Sequence, residues 1–255
     1  GGDDIAHGET SDTGVAGETV AVCHGPAALM LRGMKLYNYF RSSASFRVRI
    51  ALELKGLPYD YVAVNLLKGE QLLPAYASQL GDALVPALEL DDGRLLAQSM
   101  AIIEYLDETH PAPALLPGDP IARAHVRALA QLVACEIHPL NNLRVLKYLK
   151  RQLQLDDAAK DAWYSHWARQ GLQAFERQLL LLDAERKATG QAPSRLCWGD
   201  QPTLADCCLV PQIFNAQRFH VELHDLARTM AAFQACMALP AFQRAQPSAC
   251  PDHEG

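Results

Sequence analysis

Arg41-Ser42-Ser43-Ala44-Ser45-Phe46-Arg47-Val48-Arg49 lies between an apolar strand pattern, Lys35 to Tyr39, and a helical pattern that runs to about Lys55. A hydroxyl-rich turn that opens a helix presents free backbone N–H groups and the positive end of the helix dipole. Such a turn suits an anion, and a thiolate is an anion. Two readings follow from these residues. In one, the turn holds a thiol in its ionised form. In the other, Ser43 or Ser45 merely caps the helix, which is serine's ordinary use at such a place.

Downstream, Val48, Ile50, Ala51, Leu52 and Leu54 recur at helical spacing, Gly56 offers a C-terminal stop and Pro58 follows it. Tyr59 to Leu66, rich in Val and Tyr, reads as a second strand. Strand, helix and strand with short links predict a parallel βαβ unit. A helix is expected over Gly69 to Leu80. Leu84 to Leu90 and Arg94 to Ala97 flank Asp91-Asp92-Gly93, which predicts a β-hairpin. Gln98-Ser99 then opens a helical pattern over Ala101 to His110. The order β-α-β-α-β-β-α is that of a thioredoxin-like α/β domain.

The proline-rich stretch from His110 to Pro120 reads as a linker, because repeated Pro interrupts helix and ladder alike. Helices are expected beyond it, at about 120–151, 157–187, 203–217 and 225–237. The predicted fold class is therefore an α/β thioredoxin-like N-terminal domain plus an all-α C-terminal domain. The predicted boundaries are 34–111 and 119–248. Residues 1–33 are acidic, rich in Gly, Thr and Ala, and carry no Lys or Arg before Arg32. They are read as a disordered N-terminal extension with no secretory signal.

Composition narrows the function classes. A net charge of -6 leaves no basic excess to neutralise phosphates, so a nucleic-acid partner is not expected. No apolar run is long enough to span a bilayer, so no membrane partner is expected either. The 7 Cys are irregularly spaced with no C-x-x-C, which argues against a disulfide framework or a cysteine zinc site. No metal is expected, and the reducing cytoplasm is the expected compartment.

Five stretches together resemble the cytosolic glutathione transferases, and more narrowly the zeta class with maleylacetoacetate and maleylpyruvate isomerases. They are Ser42 to Leu52, Val85-Pro86, Gln98 to Leu106, Ile137-His138-Pro139-Leu140-Asn141-Asn142, and Thr203-Leu204-Ala205-Asp206 with Leu209-Val210-Pro211-Gln212. The resemblance covers about 34–247. It implies glutathione as cofactor, a homodimer, and a reaction that turns a maleyl diacid into its fumaryl form by thiolate addition, bond rotation and elimination.

The resemblance also implies the site. Ser42 and Ser43, with Ala44 beside them, would orient the glutathione sulfur. Val85, before a cis Pro86, would pair its backbone with the cysteinyl part. Gln98 and Ser99 would hold the γ-glutamyl end, and His138 and Asn142 would approach from the helical domain. Arg41 and Arg218 are expected to clamp the diacid, since a planar guanidinium meets carboxylates bidentately, with Arg144 a third candidate. Arg47 and Arg49 are assigned to folding or a subunit contact, and the Thr203–Asp206 box to folding. Two departures stand out. Ala44 replaces the Cys usual in the zeta motif, and Gly81-Asp82 replaces the Asn-Pro usual before the cis-Pro strand. Two other readings remain: a general transferase that conjugates small electrophiles, and a non-catalytic binding protein of the same fold.

Overall fold

The computed structural model describes residues 33–81 and 83–253. The extension expected at 1–33 lies outside them except for Gly33, and so does Asp82. The described residues form one compact unit.

A four-stranded sheet organises the first part, in the order β2-β1-β3-β4. Strands β1 (Lys35–Asn38) and β2 (Asp60–Ala63) run parallel, with Leu36 opposite Tyr61. Strand β3 (Ala87–Glu89) is antiparallel to β1 and to β4 (Leu95–Ala97), with Ala87 opposite Ala97. The second strand is shorter than the expected Tyr59 to Leu66. The helix expected at Gly69 to Leu80 is split: a 3₁₀ turn spans Glu70–Leu72, and α2 (Pro74–Leu80) starts at Pro74. Proline has no N–H and fits the first helical turn, so it restarts the helix there.

Helix α1 (Ser43–Lys55) is buried on most of its circumference, at Ser43, from Ser45 through Leu52 and again at Lys55. It packs against α3 (Ser99–Thr109) and, on its other sides, against helices of the second part. Gly56 ends it at φ 63, a left-handed conformation that favours glycine. Lys55 Nζ reaches Asp107 Oδ1 at 2.9 Å and the carbonyls of His110 and Pro113, fastening the proline-rich connection to the end of α1.

The second part is helical throughout. Its elements are α4 (Pro120–Gln131), α5 (Leu143–Arg151), α6 (Asp157–Ala188), α7 (Leu204–Arg218), α8 (Ala227–Met237) and the short α9 (Pro240–Ala245), which the sequence reading omitted. The continuous helix expected at 120–151 does not form. After α4 the chain passes through a π turn (Leu132–Ile137) and a 3₁₀ turn (Pro139–Asn141) before α5. Pro139 lacks the N–H that a straight helix would need there. Gly171 of α6 faces Ile137 so closely that a Cβ would sit 2.2 Å from its Cγ1. The π turn therefore seats against α6 at a place only glycine leaves open.

The capping box behaves as expected. Asp206 is fully buried and its Oδ2 accepts from Thr203 N–H at 2.8 Å and Thr203 Oγ1 at 2.9 Å. Its Oδ1 accepts from Cys197 N–H at 2.9 Å, so the box also fastens the preceding loop. The six described cysteines are free thiols, and burial pushes the Cys197, Cys207 and Cys236 thiols well up.

Candidate active site

The turn that opens α1 is built from both serines. Ser42 is the N-cap, with φ -72 and ψ 117, and its Oγ accepts from Ser45 N–H at 3.2 Å. The cap is thus Ser42, rather than Ser43 or Ser45. Ser43 is buried, and its Oγ accepts from the Asn215 side-chain amide of α7. A hydroxyl that accepts an N–H still carries one hydrogen to donate. Neither serine is therefore exhausted by its structural bond. The first turn of α1 contains no acidic residue, so the positive end of its dipole is not offset locally.

This turn forms one wall of a cleft of about 550 Å³. Ser42, Ser43, Ala44 and Val85 line it from the α/β part, and His138, Asn142, Asn215 and Arg218 from the helical part. Four cations reach it: Arg41, Arg144, Lys147 and Arg218. Among the described residues, no acidic side chain lines the cleft. A chain of net charge -6 thus concentrates positive charge at this one cavity. Arg41 stacks on Phe40 at 5.0 Å and Arg218 on Phe219 at 4.9 Å. Among the described residues neither guanidinium has an ion-pair partner. Desolvation by the cleft walls, with the Arg41 charge adding, pushes the Arg218 guanidinium down from its usual value.

His138 is delivered by the π turn: its N–H donates to Val133 O at 2.9 Å, five residues back. Such turns inside helical stretches often mark functional positions. Burial pushes its imidazole down to about 3, with the charges of Arg47 and Arg144 contributing, so it is neutral near pH 7. Asn142 caps α5 by accepting from Arg144 N–H at 3.0 Å, and its amide nitrogen lies 3.5 Å from His138 Nε2.

The third group lies beside the cleft. The Val85–Pro86 bond is cis, and Val85 sits just before the paired part of β3. Pro86, Gln98 and Ser99 are not cleft-lining residues. They stand at the same end of the β3–β4 pair as Val85, because the register places Ala87 opposite Ala97. Gln98 has φ 69, an uncommon conformation for a residue with a Cβ, and its side chain does not cap α3. Ser99, the first residue of α3, is buried, and its Oγ accepts from Arg47 Nη1 at 3.3 Å.

Of the sequence-predicted residues, the structure brings Arg41, Ser42, Ser43, Ala44, Val85, His138, Asn142 and Arg218 to one cavity. Sequence reasoning missed Lys147, Tyr164, Gln212 and Asn215. Helical spacing carried a signal for two of them: Lys147 is one turn from Arg144, and Asn215 one turn from Arg218. These features fit an extended, anionic thiol peptide. The cleft offers hydroxyl donors, and beside it stand a strand end and an uncapped helix start backed by Arg47.

Comparison with known proteins gives the same reading from outside. Residues 36–114 match the family model for the glutathione S-transferase N-terminal domain. A maleylpyruvate isomerase from Ralstonia sp is 49% identical over 219 residues, spanning 86% of this chain and 99% of that protein. The holo structure of a maleyl pyruvate isomerase, a bacterial glutathione S-transferase of the zeta class, superposes with a TM-score of 0.81. It is 48% identical, and the match covers 86% of this chain and 100% of that one. A maleylacetoacetate isomerase from Anaeromyxobacter dehalogenans 2CP-1, with bound GSH in its active site, gives a TM-score of 0.75 at 42% identity over 87% of this chain and 98% of that one. With the serine turn, the cis-proline strand and the cationic cleft all in one chain, this protein belongs to the zeta class of glutathione transferases, the family of the maleylpyruvate and maleylacetoacetate isomerases.

Proposed function

We propose that this chain is a glutathione-dependent cis–trans isomerase that converts a maleyl diacid, maleylacetoacetate or maleylpyruvate, to its fumaryl form. One observation carries the reading: the thiolate-stabilising turn and four cations share a single cleft with no described acidic side chain. A conjugating transferase for apolar electrophiles needs the first feature and not the second. Bound glutathione supplies the thiolate whose addition makes the C=C bond single, allowing rotation, and whose departure restores the double bond.

The chain's own residues have two tasks. The first is to keep a thiol ionised. An ordinary thiol has a pKa of about 8.5, and lowering it by about two units takes roughly 2.7 kcal/mol of preferential thiolate stabilisation. A charged hydrogen bond from the Ser42 hydroxyl contributes about 1.5–3 kcal/mol and the α1 dipole up to about 1 kcal/mol, which is sufficient without a general base. Ser42 takes the larger share because Ser43 is the more buried of the two. The second task is to hold two carboxylates. His138 is neutral, so the positive charge comes from guanidinium and ammonium groups, with Arg41 and Arg218 as the clamp and Arg144 behind them.

In this reading, residues 34–111 bind glutathione and residues 119–248 form the substrate side. The protein works as a cytoplasmic homodimer with no metal, nucleic-acid or membrane partner. Among the described residues, no helix is long and apolar enough to cross a membrane. The test is a coupled absorbance assay with maleylpyruvate and maleylacetoacetate, each with and without glutathione. Glutathione-dependent turnover supports the reading, and the ratio of kcat/KM values names the preferred diacid. Absence of turnover in a protein that binds glutathione would favour the conjugating transferase.

A further inference from the structure

Arg47 lies on α1 one turn beyond Ser43, and it is 2% exposed. Among the described residues it has no ion-pair partner. Its Nη1 donates to Ser99 Oγ at 3.3 Å, while Nε and Nη2 are buried with no hydrogen-bond partner. A buried cation that lacks both a counter-ion and full hydrogen bonding is a costly arrangement. Arg49, two residues on and 1% exposed, is different. Its Nε, Nη1 and Nη2 donate to Ala245 O at 2.9 Å, Asn38 Oδ1 at 3.0 Å and Phe40 O at 3.1 Å. Arg49 is explained by the fold, as expected of it, and Arg47 is not.

The acceptor that Arg47 does reach is informative. Ser99 is the first residue of the 11-residue α3, whose cap, Gln98, makes no side-chain bond to the helix start. No acidic residue occupies the first turn of α3. Because Ser99 Oγ accepts from Arg47, its own hydrogen is turned elsewhere, available to a second acceptor. A hydroxyl donor, uncapped N–H groups and a buried positive charge therefore converge on one point. That combination is complete only when an anion arrives.

We infer that Arg47 is a positioning residue for glutathione: it fixes the Ser99 hydroxyl as a donor and supplies the buried charge that the γ-glutamyl α-carboxylate neutralises on binding. This rests on the reading above that Ser99 holds the γ-glutamyl end. The same guanidinium helps keep His138 neutral, so one side chain conditions both walls of the glutathione site.

The test pairs a side-chain change with a ligand change. Titration calorimetry measures Kd for glutathione and for 4-aminobutyryl-cysteinylglycine, the same tripeptide without that carboxylate, on the wild-type protein and on Arg47→Met. Wild type is expected to bind glutathione about tenfold or more tightly than the truncated peptide, as a charge-assisted contact implies. Arg47→Met is expected to weaken glutathione by about tenfold and to leave the truncated peptide within about twofold. An equal loss for both ligands would reduce Arg47 to a structural role and overturn the inference. Equal binding of the two ligands by wild type would overturn the Ser99 reading itself, a distinct outcome. If Arg47→Met does not fold, Arg47→Gln, also uncharged but hydrogen-bonding, carries the same comparison.

Discussion

Among the described residues, two helices are capped by a hydroxyl residue, and the two ends have opposite fates. At the start of α7, Thr203 and Asp206 saturate one another: the carboxylate takes the Thr203 N–H, the Thr203 hydroxyl and the Cys197 N–H, all buried. At the start of α1, Ser42 accepts only the Ser45 N–H and faces a cleft. A polar cluster whose valences are all met inside the protein stabilises a fold. One that retains a donor toward a cavity is available to a ligand. The contrast between Arg49 and Arg47 repeats this within a single helix.

The comparison can be broken by substitution. The largest expected effect is Asp206→Ala, which orphans four buried donors, the Cys236 thiol among them, and costs on the order of 4 kcal/mol in urea or thermal unfolding. The surviving folded fraction should keep its KM for glutathione; a specific loss of glutathione affinity would mean that the α7 box is not purely structural. Ser42→Ala is expected to do the reverse. Losing the cap costs only about 1 kcal/mol of stability, while loss of the charged hydrogen bond lowers kcat/KM roughly ten- to hundredfold. The pKa of the bound thiol, followed by thiolate absorbance, should rise with it. An unshifted thiol would transfer the role to Ser43.

A smaller effect is expected on the helical wall of the cleft. Arg218→Ala should raise KM for the diacid by about tenfold and leave glutathione affinity nearly constant. Unchanged kinetics would remove Arg218 from the site. The last effect concerns pH. His138 titrates at about 3 in the folded protein against 6.5 for an ordinary imidazole. Between those values the unfolded chain takes up a proton that the folded chain does not, so stability is full above about pH 6.5 and declines as pH falls toward 3. His138→Gln should flatten that slope in denaturant titrations at several pH values. An identical slope in the variant would show that His138 titrates normally in the folded state.

Much of this was legible in the chain. Period-2 and helical patterns placed β1, α1, the hairpin and α3, because each element is amphipathic or punctuated by Gly and Pro at its ends. The serine turn could be read as an anion site, but the residues alone favoured a simple cap. The proline-interrupted helix after Gln131 was not legible. A π turn differs from an α turn by one residue of hydrogen-bond register, which leaves no compositional mark. Lys147 and Asn215 carried only the weak signal of helical spacing from Arg144 and Arg218.

Sequence by itself determined most of the elements, their order and the family. Tertiary structure alone decided which polar groups are spent and which are left over. Arg47 and Arg49 are two identical side chains two residues apart on one buried helix, and no local rule separates them. Hydrogen-bond satisfaction depends on acceptors brought from distant segments: Ala245 and Asn38 for one arginine, Ser99 alone for the other. The same holds for the cleft, whose positive charge comes from Arg41 on one part of the chain and from Arg144, Lys147 and Arg218 on another, brought together only when the chain folds.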